Sequence, residues 1–326
     1  EASLGLGESY MDGWWDCDRI DEMLTRILEA GLDRKMVARI MALDVVRAKL
    51  VNLQSKRRAF TIGEHHYDIG NDLYERMLVS RMTYSCGYWK NANTLDEAQE
   101  AKIDLAARKL GLEAGMRVLD IGCGWGGAAR FMAERYGCEV VGVTVSREQV
   151  AYAEARRGNL PVDIRLQDYR DIDDTFDRIV SIGMFEHVGA KNYPAFMRTV
   201  RRLLADDGLF LLHTIGGNRS VHQGDPWVSR YIFPNSMLPS AKQITAAAED
   251  VFVMEDWHNF GAYYDTTLMQ WVDNFDAAWP ELRERYGDRG VPWAQNHTYI
   301  PVTGMVTGSL AVVDEGDRYL RVLLEE

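Results

Sequence analysis

The chain has 326 residues, of which 47% are hydrophobic and 26% are charged, and this ordinary globular composition excludes disordered and collagen-like chains. It carries 37 Lys and Arg residues against 49 Asp and Glu residues, for a formal net charge of −12, which disfavours general nucleic-acid binding. No run of about 18 apolar residues occurs, so the sequence predicts no membrane-spanning helix.

The cysteines predict neither a zinc site nor a disulfide framework. There are four, Cys17, Cys86, Cys123 and Cys138, and the closest two are fifteen positions apart. We therefore expect no bound metal. No signal-peptide pattern opens the chain, so we expect a cytoplasmic protein. Because the first residue is Glu1 rather than Met, we also expect that native N-terminal residues are missing.

Residues 1–60 predict a small helical domain. After a segment rich in glycine and aromatic residues, apolar residues recur at helical spacing between Ile20 and Leu28. The next predicted helix, here called the basic segment (residues 33–58), carries eight basic residues against two acidic ones. Its basic residues are Arg34, Lys35, Arg39, Arg47, Lys49, Lys56, Arg57 and Arg58. A basic amphipathic helix suits a membrane surface, although a solvated helix covering a core is an equally good interpretation.

The second predicted domain, residues 61–326, begins with an alternation of strand and helix patterns. This alternation predicts an α/β fold with a doubly wound, mostly parallel, Rossmann-like sheet. The predicted strands are 117–120, 138–143, 162–166, 176–182 and 208–213. The predicted helices between them include 129–136 and 146–157, and a further strand at 252–257 and a helix at 268–279 follow.

A glycine-rich loop follows the first strand of this domain. In the run Val118-Leu-Asp-Ile-Gly-Cys-Gly-Trp-Gly-Gly127 the loop lies between a strand and a helix, where backbone can approach a ligand closely. The loop also fits the G-x-G-x-x-G pattern of a dinucleotide site. Such a site requires an acidic residue about 20 positions further on, and the second strand ends instead at Thr144. An NAD-dependent oxidoreductase is therefore the weakest alternative.

The carboxylate of Asp120 favours a different ligand. S-adenosylmethionine carries a sulfonium and an ammonium and no phosphate, so a carboxylate before the glycines suits it. Asp120 with Gly122, Gly124 and Gly126 resembles the first motif of class I S-adenosylmethionine-dependent methyltransferases. After the third strand, Gln167 and Asp168 can meet an adenine amino group, although an ordinary surface turn would carry the same residues.

Further segments around the glycine loop resemble one family. They are His66-Tyr-Asp-Ile-Gly-Asn-Asp-Leu-Tyr74, Tyr84-Ser-Cys-Gly-Tyr-Trp89, Gly183-Met-Phe-Glu-His-Val-Gly189 and Leu211-Leu-His-Thr-Ile215. With Ser3–Trp15, Tyr231-Ile-Phe-Pro234 and Glu255-Asp-Trp-His-Asn-Phe-Gly261, they resemble the bacterial cyclopropane-fatty-acyl-phospholipid synthases. The resemblance runs from Ser3 to about Tyr286.

The resemblance implies a reaction and a set of site residues. The reaction adds a methylene from S-adenosylmethionine to the cis double bond of an unsaturated acyl chain in a membrane phospholipid, and a bound bicarbonate ion takes the proton that leaves. The implied bicarbonate site consists of Cys86, Glu186, His213, Ile215 and Tyr264. Singly, each of these residues is more often a packing or capping residue. His187 lies beside Glu186, and we predict a structural role for it.

The family pattern also implies further cofactor-binding residues, a membrane partner and an assembly. The cofactor-binding set consists of Tyr67, Tyr84, Ser85, Asp120, Gly122, Gly124, Gly126, Thr144, Ser146, Gln149, Gln167, Asp168 and Tyr169. Aromatic rings such as that of Tyr67 can face a sulfonium by cation–π attraction. We further expect the basic segment to bind the inner membrane peripherally and the protein to form a homodimer.

Residues 287–326 depart from the family pattern. The family's late cysteine segment is absent, because Cys138 is the last cysteine. Residues 310–324 predict two strands around an Asp-Glu-Gly-Asp turn. This departure leaves two alternatives open: a related lipid or small-molecule methyltransferase that forms a methyl branch, and a non-catalytic lipid-binding relative.

Overall fold

One parallel sheet organises the fold. The computed structural model describes residues 2–30, 70–221, 224–285 and 324–325. Its strands are β1 (Arg117–Ile121), β2 (Glu139–Thr144), β3 (Val162–Leu166), β4 (Phe176–Ile182), β5 (Leu204–Ile215) and β6 (Leu324–Glu325). The strand order is β3-β2-β1-β4-β5-β6, and neighbouring strands pair in parallel. The predicted α/β class is confirmed.

Helices precede the sheet and cover both of its faces. In chain order they are α1 (Ala2–Met11), α2 (Ile20–Glu29), α3 (Asn71–Leu78), α4 (Leu95–Lys109), α5 (Gly127–Tyr136), α6 (Arg147–Arg156), α7 (Tyr193–Leu203), α8 (Pro226–Tyr231), α9 (Ala241–Ala248) and α10 (263–285). Ser146 caps the N-terminus of α6 by accepting from the Gln149 N–H, and Ser240 forms a capping box with Gln243 on α9. Among the described helices, none is long and apolar enough to cross a bilayer.

Two apolar clusters lie on opposite sides of the sheet. One cluster contains buried residues of α3, α4, α5 and α10. The other contains the apolar stripe of α7, where Phe196, Val200 and Leu203 are fully buried. Strand β1 lies at the centre of the sheet, and its residues Val118 and Leu119 have no exposed surface, as expected for a strand covered on both faces.

Most predicted elements are confirmed, and one is wrong. Strands β3 and β4 have the predicted bounds, whereas β5 begins four residues before the predicted strand. The expected strand at 252–257 is irregular backbone. Its apolar residues Val253 and Met254 are 87% and 46% exposed, so they do not enter the core as a buried strand would. Helix α10 begins at residue 263, five residues before the predicted start.

The strand order reverses at β1, because β2 and β3 lie on one side of it and β4 and β5 lie on the other. In open α/β sheets the ligand crevice lies at the carboxyl ends of the strands at such a switch point. Several predictions lie outside the described residues: the basic segment, Tyr67, the domain boundary at residues 60 and 61, and the paired strands predicted within 310–324.

Candidate active site

The glycine loop after β1 has a backbone that side chains would disturb. Gly122, Gly124 and Gly126 all have positive φ, at 83°, 53° and 75°, which glycine adopts without steric cost. A Cβ atom on Gly122 would lie 2.6 Å from Cγ of Met184. The loop is thus packed directly against the segment that follows β4, and the two form one edge of the crevice.

Asp120 lies near the end of β1, just before this loop. Its side chain is 2% exposed, and its Oδ2 accepts no hydrogen bond from the described part of the chain. Burial raises the pKa of the Asp120 carboxyl to about 7, because the ionised form lacks the solvation that water provides. A cation beside this carboxylate would remove that penalty. The residue therefore fits the positively charged amino-acid and sulfonium groups of S-adenosylmethionine.

The three residues predicted to follow β2 lie together. Thr144, Ser146 and Gln149 are all buried. The Thr144 hydroxyl lies 2.6 Å from Oε1 of Gln149, and the Ser146 backbone N–H donates to Thr144 Oγ1 at 3.3 Å. This small hydrogen-bonded cluster forms the carboxyl end of β2, where an acidic residue for an NAD ribose would otherwise be required.

The side chains of the three predicted cofactor residues after β3 contact different partners. Asp168 is 3% exposed, and both of its carboxylate oxygens accept from the guanidinium of Arg170 at 2.7 and 2.5 Å. Gln167 donates to the backbone oxygen of Asp171 at 3.1 Å. The ring of Tyr169 packs edge-on against Phe196 on α7, and burial raises its pKa to about 12.

The polar groups after β4 and β5 form a second cluster. Glu186 follows β4 in a short 3₁₀ turn, and its Oε1 accepts from the backbone N–H of Ile215 at 2.7 Å. His213 lies two residues earlier on β5, and its backbone oxygen accepts from the N–H of Gly183 at 2.9 Å. Glu186 and His213 are 5% and 2% exposed. The structure therefore joins three of the predicted bicarbonate-site residues at adjacent strand ends.

Cys86 and Tyr264 belong to an apolar cluster whose Phe260 ring packs against His213 at a centroid distance of 5.4 Å, and Ile215 packs against the same cluster. Thr267 lies one turn after Tyr264 on α10, and its hydroxyl is 4.0 Å from the Cys86 sulfur. The same hydroxyl accepts from the backbone N–H of Gly87 and from Nε1 of Trp89, each at 2.9 Å. Thr267 thus fixes residues 86–89, here called the Cys86 segment, against the helix that carries Tyr264.

Tyr84 and Ser85 precede Cys86 and have different surroundings. The Tyr84 ring packs against the rings of Tyr74 and Trp271 at centroid distances of 5.7 and 5.1 Å. Ser85 Oγ accepts from the ammonium of Lys102 at 2.6 Å. His187, which we predicted to be structural, packs against Phe233, and burial lowers its pKa to about 4, so its imidazole is neutral near pH 7.

Sequence reasoning did not identify Thr267, Lys102 or Gln99. Thr267 gave no local signal, since its partners are about 180 positions away. For Lys102 and Gln99 the sequence did contain a signal, which is their helical spacing from apolar residues. The buried stripe of α4 includes Leu95, Ala98, Gln99, Lys102 and Ile103, so two polar residues lie on the face that packs into the core.

The sheet order, the glycine loop at the switch point and the buried carboxylate before it define the class of protein. It is a class I S-adenosylmethionine-dependent methyltransferase. A family model described as mycolic acid cyclopropane synthetase matches residues 54–296, and the chain belongs to this family. The match extends ten residues beyond Tyr286, where the sequence resemblance was expected to end.

Relatives and solved structures agree with this assignment. The chain is 56% identical over 290 residues to the cyclopropane-fatty-acyl-phospholipid synthase of Escherichia coli strain K12, covering 89% of this chain and 76% of the relative. It is 39% identical over 324 residues to a probable fatty acid methyltransferase of Mycobacterium tuberculosis, covering 88% and 75%.

Two solved structures are similar over most of their length. The mycolic acid cyclopropane synthase CmaA1, complexed with SAH and CTAB, has a TM-score of 0.70 and 32% identity, covering 76% of this chain and 94% of that one. Coclaurine N-methyltransferase, bound to N-methylheliamine and SAH, has a TM-score of 0.74 and 27% identity, covering 94% and 95%. The fold is therefore shared by enzymes that are named for lipid and for small-molecule substrates.

Proposed function

We propose that this protein forms cyclopropane rings on unsaturated acyl chains of membrane phospholipids, with S-adenosylmethionine as the source of the methylene. The observation that carries the proposal is the pairing of two buried polar clusters at the switch point. One contains Asp120 beside the glycine loop, and the other contains Glu186, His213 and Ile215. The activity for which the Escherichia coli relative is named supports the same reaction.

The alkene needs no base to activate it. S-adenosylmethionine, when bound, supplies a methyl group on a positively charged sulfur. The π electrons of the acyl chain form the new carbon–carbon bond, the carbon–sulfur electrons stay on sulfur, and the other alkene carbon becomes positive. Loss of a proton from the transferred methyl group then closes the ring. The site must hold the reactants in contact and keep water away from the cationic acyl chain.

The residues around the site suit this requirement for a dry enclosure. The apolar cluster contains Cys86, Phe260, Tyr264 and Trp271, all at most 6% exposed. Their rings and the Cys86 sulfur offer no strong nucleophile at neutral pH, provided that the thiol remains protonated. We infer that this wall faces the acyl chain.

The proton acceptor is the second part of the proposal. The residues that would hold a bicarbonate ion are Cys86, Glu186, His213, Ile215 and Tyr264, and bicarbonate, when bound, would accept the departing proton. Their chemistry fits a small oxyanion, with an imidazole, a phenol and a thiol beside the carboxylate of Glu186, whose Oε1 is held by the backbone N–H of Ile215. Because two neighbouring anions repel each other, Glu186 and the ion would share a proton. A buried negative charge here would also stabilise the cationic acyl chain.

Access to phospholipid requires contact with a membrane. We propose that the basic segment provides this contact, because each Lys or Arg near an anionic surface contributes about 1 kcal/mol. The remainder of the chain is acidic, so a concentrated basic region would orient the protein on the inner membrane. A homodimer, as expected for the family, would present two such segments.

A methyltransferase that forms a methyl branch, or acts on a small molecule, is the second candidate. The similarity to coclaurine N-methyltransferase favours it at the level of fold. Ring closure requires loss of a proton from the transferred methyl group, and the Glu186 and His213 cluster favours the ring product. A non-catalytic lipid-binding relative remains the third candidate, supported by the departure of the tail from the family pattern.

Mass spectrometry of the lipid product tests these candidates. Vesicles of unsaturated phospholipid are incubated with the protein and S-adenosylmethionine, and their acyl chains are analysed before and after hydrogenation. We expect chains heavier by one methylene that do not take up hydrogen. A branched alkene or a branched saturated chain would support the second candidate. Cofactor binding without any product would support the third.

A further inference from the structure

Lys102 is a buried lysine beside the site. It lies on α4, is 2% exposed, and its ammonium donates to Ser85 Oγ and to Gln99 Oε1, each at 2.6 Å. Gln99 is fully buried, and its Nε2 donates to the backbone oxygen of Ser85 at 2.8 Å. Two polar side chains of one helix therefore hold both polar oxygens of a single serine.

These contacts determine what the Ser85 hydroxyl can do. A serine hydroxyl has one hydrogen to donate, and an ammonium has only donors. Because Oγ accepts from Lys102, the hydroxyl hydrogen points towards some other acceptor. The ammonium polarises this O–H group and makes it a stronger donor. Ser85 is thereby prepared to bind a group that carries negative charge.

Ser85 lies at the strand edge where ligands bind. A Cβ atom on Gly183, the residue that follows β4, would lie 3.6 Å from Cβ of Ser85. The N–H of Gly183 donates to the backbone oxygen of His213, and Cys86 follows Ser85 directly. The serine is thus adjacent to the segments that carry Glu186, His213 and Cys86.

We propose that Lys102, acting through Ser85, makes this edge of the site a receptor for an oxyanion. The inference rests on the proposed function and deepens it. Ser85 donates to the oxyanion, and Lys102 is a positioning residue whose charge lies two hydrogen bonds away. Two oxyanions have the required chemistry: the carboxylate on the amino-acid part of S-adenosylmethionine, and a free bicarbonate ion.

Three substitutions test the proposal. Lys102→Met removes the charge with a side chain of similar length, Lys102→Arg keeps a charge but changes the geometry, and Ser85→Ala removes the hydroxyl. Lys109→Met is the matched control, because Lys109 lies on the same helix and pairs with Asp256 at the surface. Urea unfolding confirms that each variant is folded before binding is measured.

Two binding measurements separate the possible oxyanions. Calorimetry gives Kd for S-adenosylhomocysteine, which has the carboxylate, and for methylthioadenosine, which lacks it. The second measurement is the bicarbonate concentration that half-saturates ring formation, together with the line width of ¹³C-labelled bicarbonate in the presence of protein without lipid. We expect Lys102→Met to raise at least tenfold either the Kd of S-adenosylhomocysteine or the half-saturating bicarbonate concentration. We expect Lys109→Met to leave both quantities unchanged.

The outcomes are distinct. A weaker S-adenosylhomocysteine complex with unchanged methylthioadenosine binding assigns the oxyanion to the cofactor carboxylate. A higher bicarbonate requirement with unchanged S-adenosylhomocysteine binding assigns it to the free ion. In either case Ser85→Ala must produce the same loss, and the double variant must add little to it. If Ser85→Ala, or a folded Lys102→Met, changes neither constant, the proposal is wrong.

Failure of the proposed function would give a different result. The calorimetric arm and the bicarbonate line width do not require ring formation. If the wild-type protein makes no ring, yet Lys102→Met weakens S-adenosylhomocysteine binding, the oxyanion receptor stands and the reaction assignment falls. If the wild type forms rings normally and all variants bind both oxyanions as tightly as the wild type does, only the proposed oxyanion receptor is excluded.

Discussion

The backbone N–H of Ile215 donates to Oε1 of Glu186 at 2.7 Å, and this contact joins the end of β5 to the turn after β4. Both residues belong to the proposed bicarbonate site. The contact holds one carboxylate oxygen in place and defines the direction of the other. A neutral glutamine would keep this contact, so a substitution can test separately whether the charge of Glu186 matters for proton removal from the methylated acyl chain.

Glu186→Gln keeps an oxygen that can accept from Ile215 but removes the negative charge. We expect the rate of ring formation to fall by about 100-fold or more, as is typical when a group that assists proton transfer is lost. The Kd of S-adenosylmethionine should change less than twofold, because the glycine loop and Asp120 are unaltered. Product mass spectrometry and calorimetry measure the two quantities.

Glu148→Gln is the matched control for this substitution. Glu148 is exposed in the first turn of α6, so the same chemical change there should leave both the rate and the Kd unaltered. A Glu186→Gln variant that retained more than half of the wild-type rate would contradict the role of the Glu186 charge.

The Thr267 hydroxyl contributes to stability because it accepts two hydrogen bonds and donates one. It accepts from Gly87 and Trp89 and donates to the Tyr263 backbone oxygen at 2.9 Å. Thr267→Val leaves one buried and one partly buried N–H donor without this acceptor, so we expect the free energy of unfolding to fall by about 2–4 kcal/mol. Thr267→Ser should recover most of this loss, because it restores the hydroxyl.

Urea unfolding measures the effect, with Thr245→Val as a control. The Thr245 hydroxyl is exposed and donates to a backbone oxygen of its own helix, so its removal should change the free energy of unfolding by less than about 0.5 kcal/mol. Equal losses for Thr267→Val and Thr245→Val would show that the contact between α10 and the Cys86 segment contributes little.

Local patterns predicted the sheet and the glycine loop well. Strand β3 alternates apolar and charged residues, and β4 has apolar residues at both ends and in its middle, so their bounds could be read directly from the sequence. The segment at 252–257 has a similar pattern and is not a strand, because hydrophobicity alone does not reveal that Val253 and Met254 face solvent.

Local sequence patterns could not predict contacts between residues that are far apart in the chain. Cys86 and Thr267 are 181 positions apart, and only the fold brings them together. Lys102 shows a different limit. A lysine within an amphipathic helix ordinarily indicates a solvated face. The spacing of the apolar residues of α4 places Lys102 on the buried face, but it does not identify the serine on another segment that accepts from the ammonium.

Reversing charge in the basic segment tests membrane binding. Changing Lys56, Arg57 and Arg58 to Glu should lower binding to anionic vesicles by at least about 100-fold at low salt, because each lost cation removes about 1 kcal/mol of attraction. The matched control, Lys56→Arg with Arg57→Lys and Arg58→Lys, keeps the charge and should bind normally. Vesicle sedimentation measures binding, and unchanged sedimentation of the Glu variant would exclude this role.

The buried carboxyl of Asp120 should make the stability of the cofactor-free protein depend on pH. Its pKa is about 7 in the folded chain against the ordinary 3.8 of an aspartate side chain, so the folded state holds its proton to higher pH than the unfolded state. Stability from this group therefore falls between about pH 4 and pH 7 and is constant above, with a total loss on the order of 4 kcal/mol at most. Asp120→Asn should remove that loss, so urea unfolding at pH 8 should find the variant more stable than the wild type.

The same carboxyl should make binding of S-adenosylmethionine depend on pH in the opposite direction. A cationic ligand favours the ionised carboxylate, and below pH 7 the ligand must first displace a proton from Asp120. With a pKa of about 7, the ionised fraction, and hence the affinity, should rise about 25-fold between pH 5.5 and pH 7.5, a range in which an α-amino group remains largely protonated. Calorimetry across this range measures Kd and the uptake or release of protons. Asp120→Asn should bind weakly with a nearly constant Kd, since it has no proton to lose. A wild-type Kd that does not change with pH would show that the cation of the ligand lies away from Asp120, and would leave the raised pKa without a role in cofactor binding.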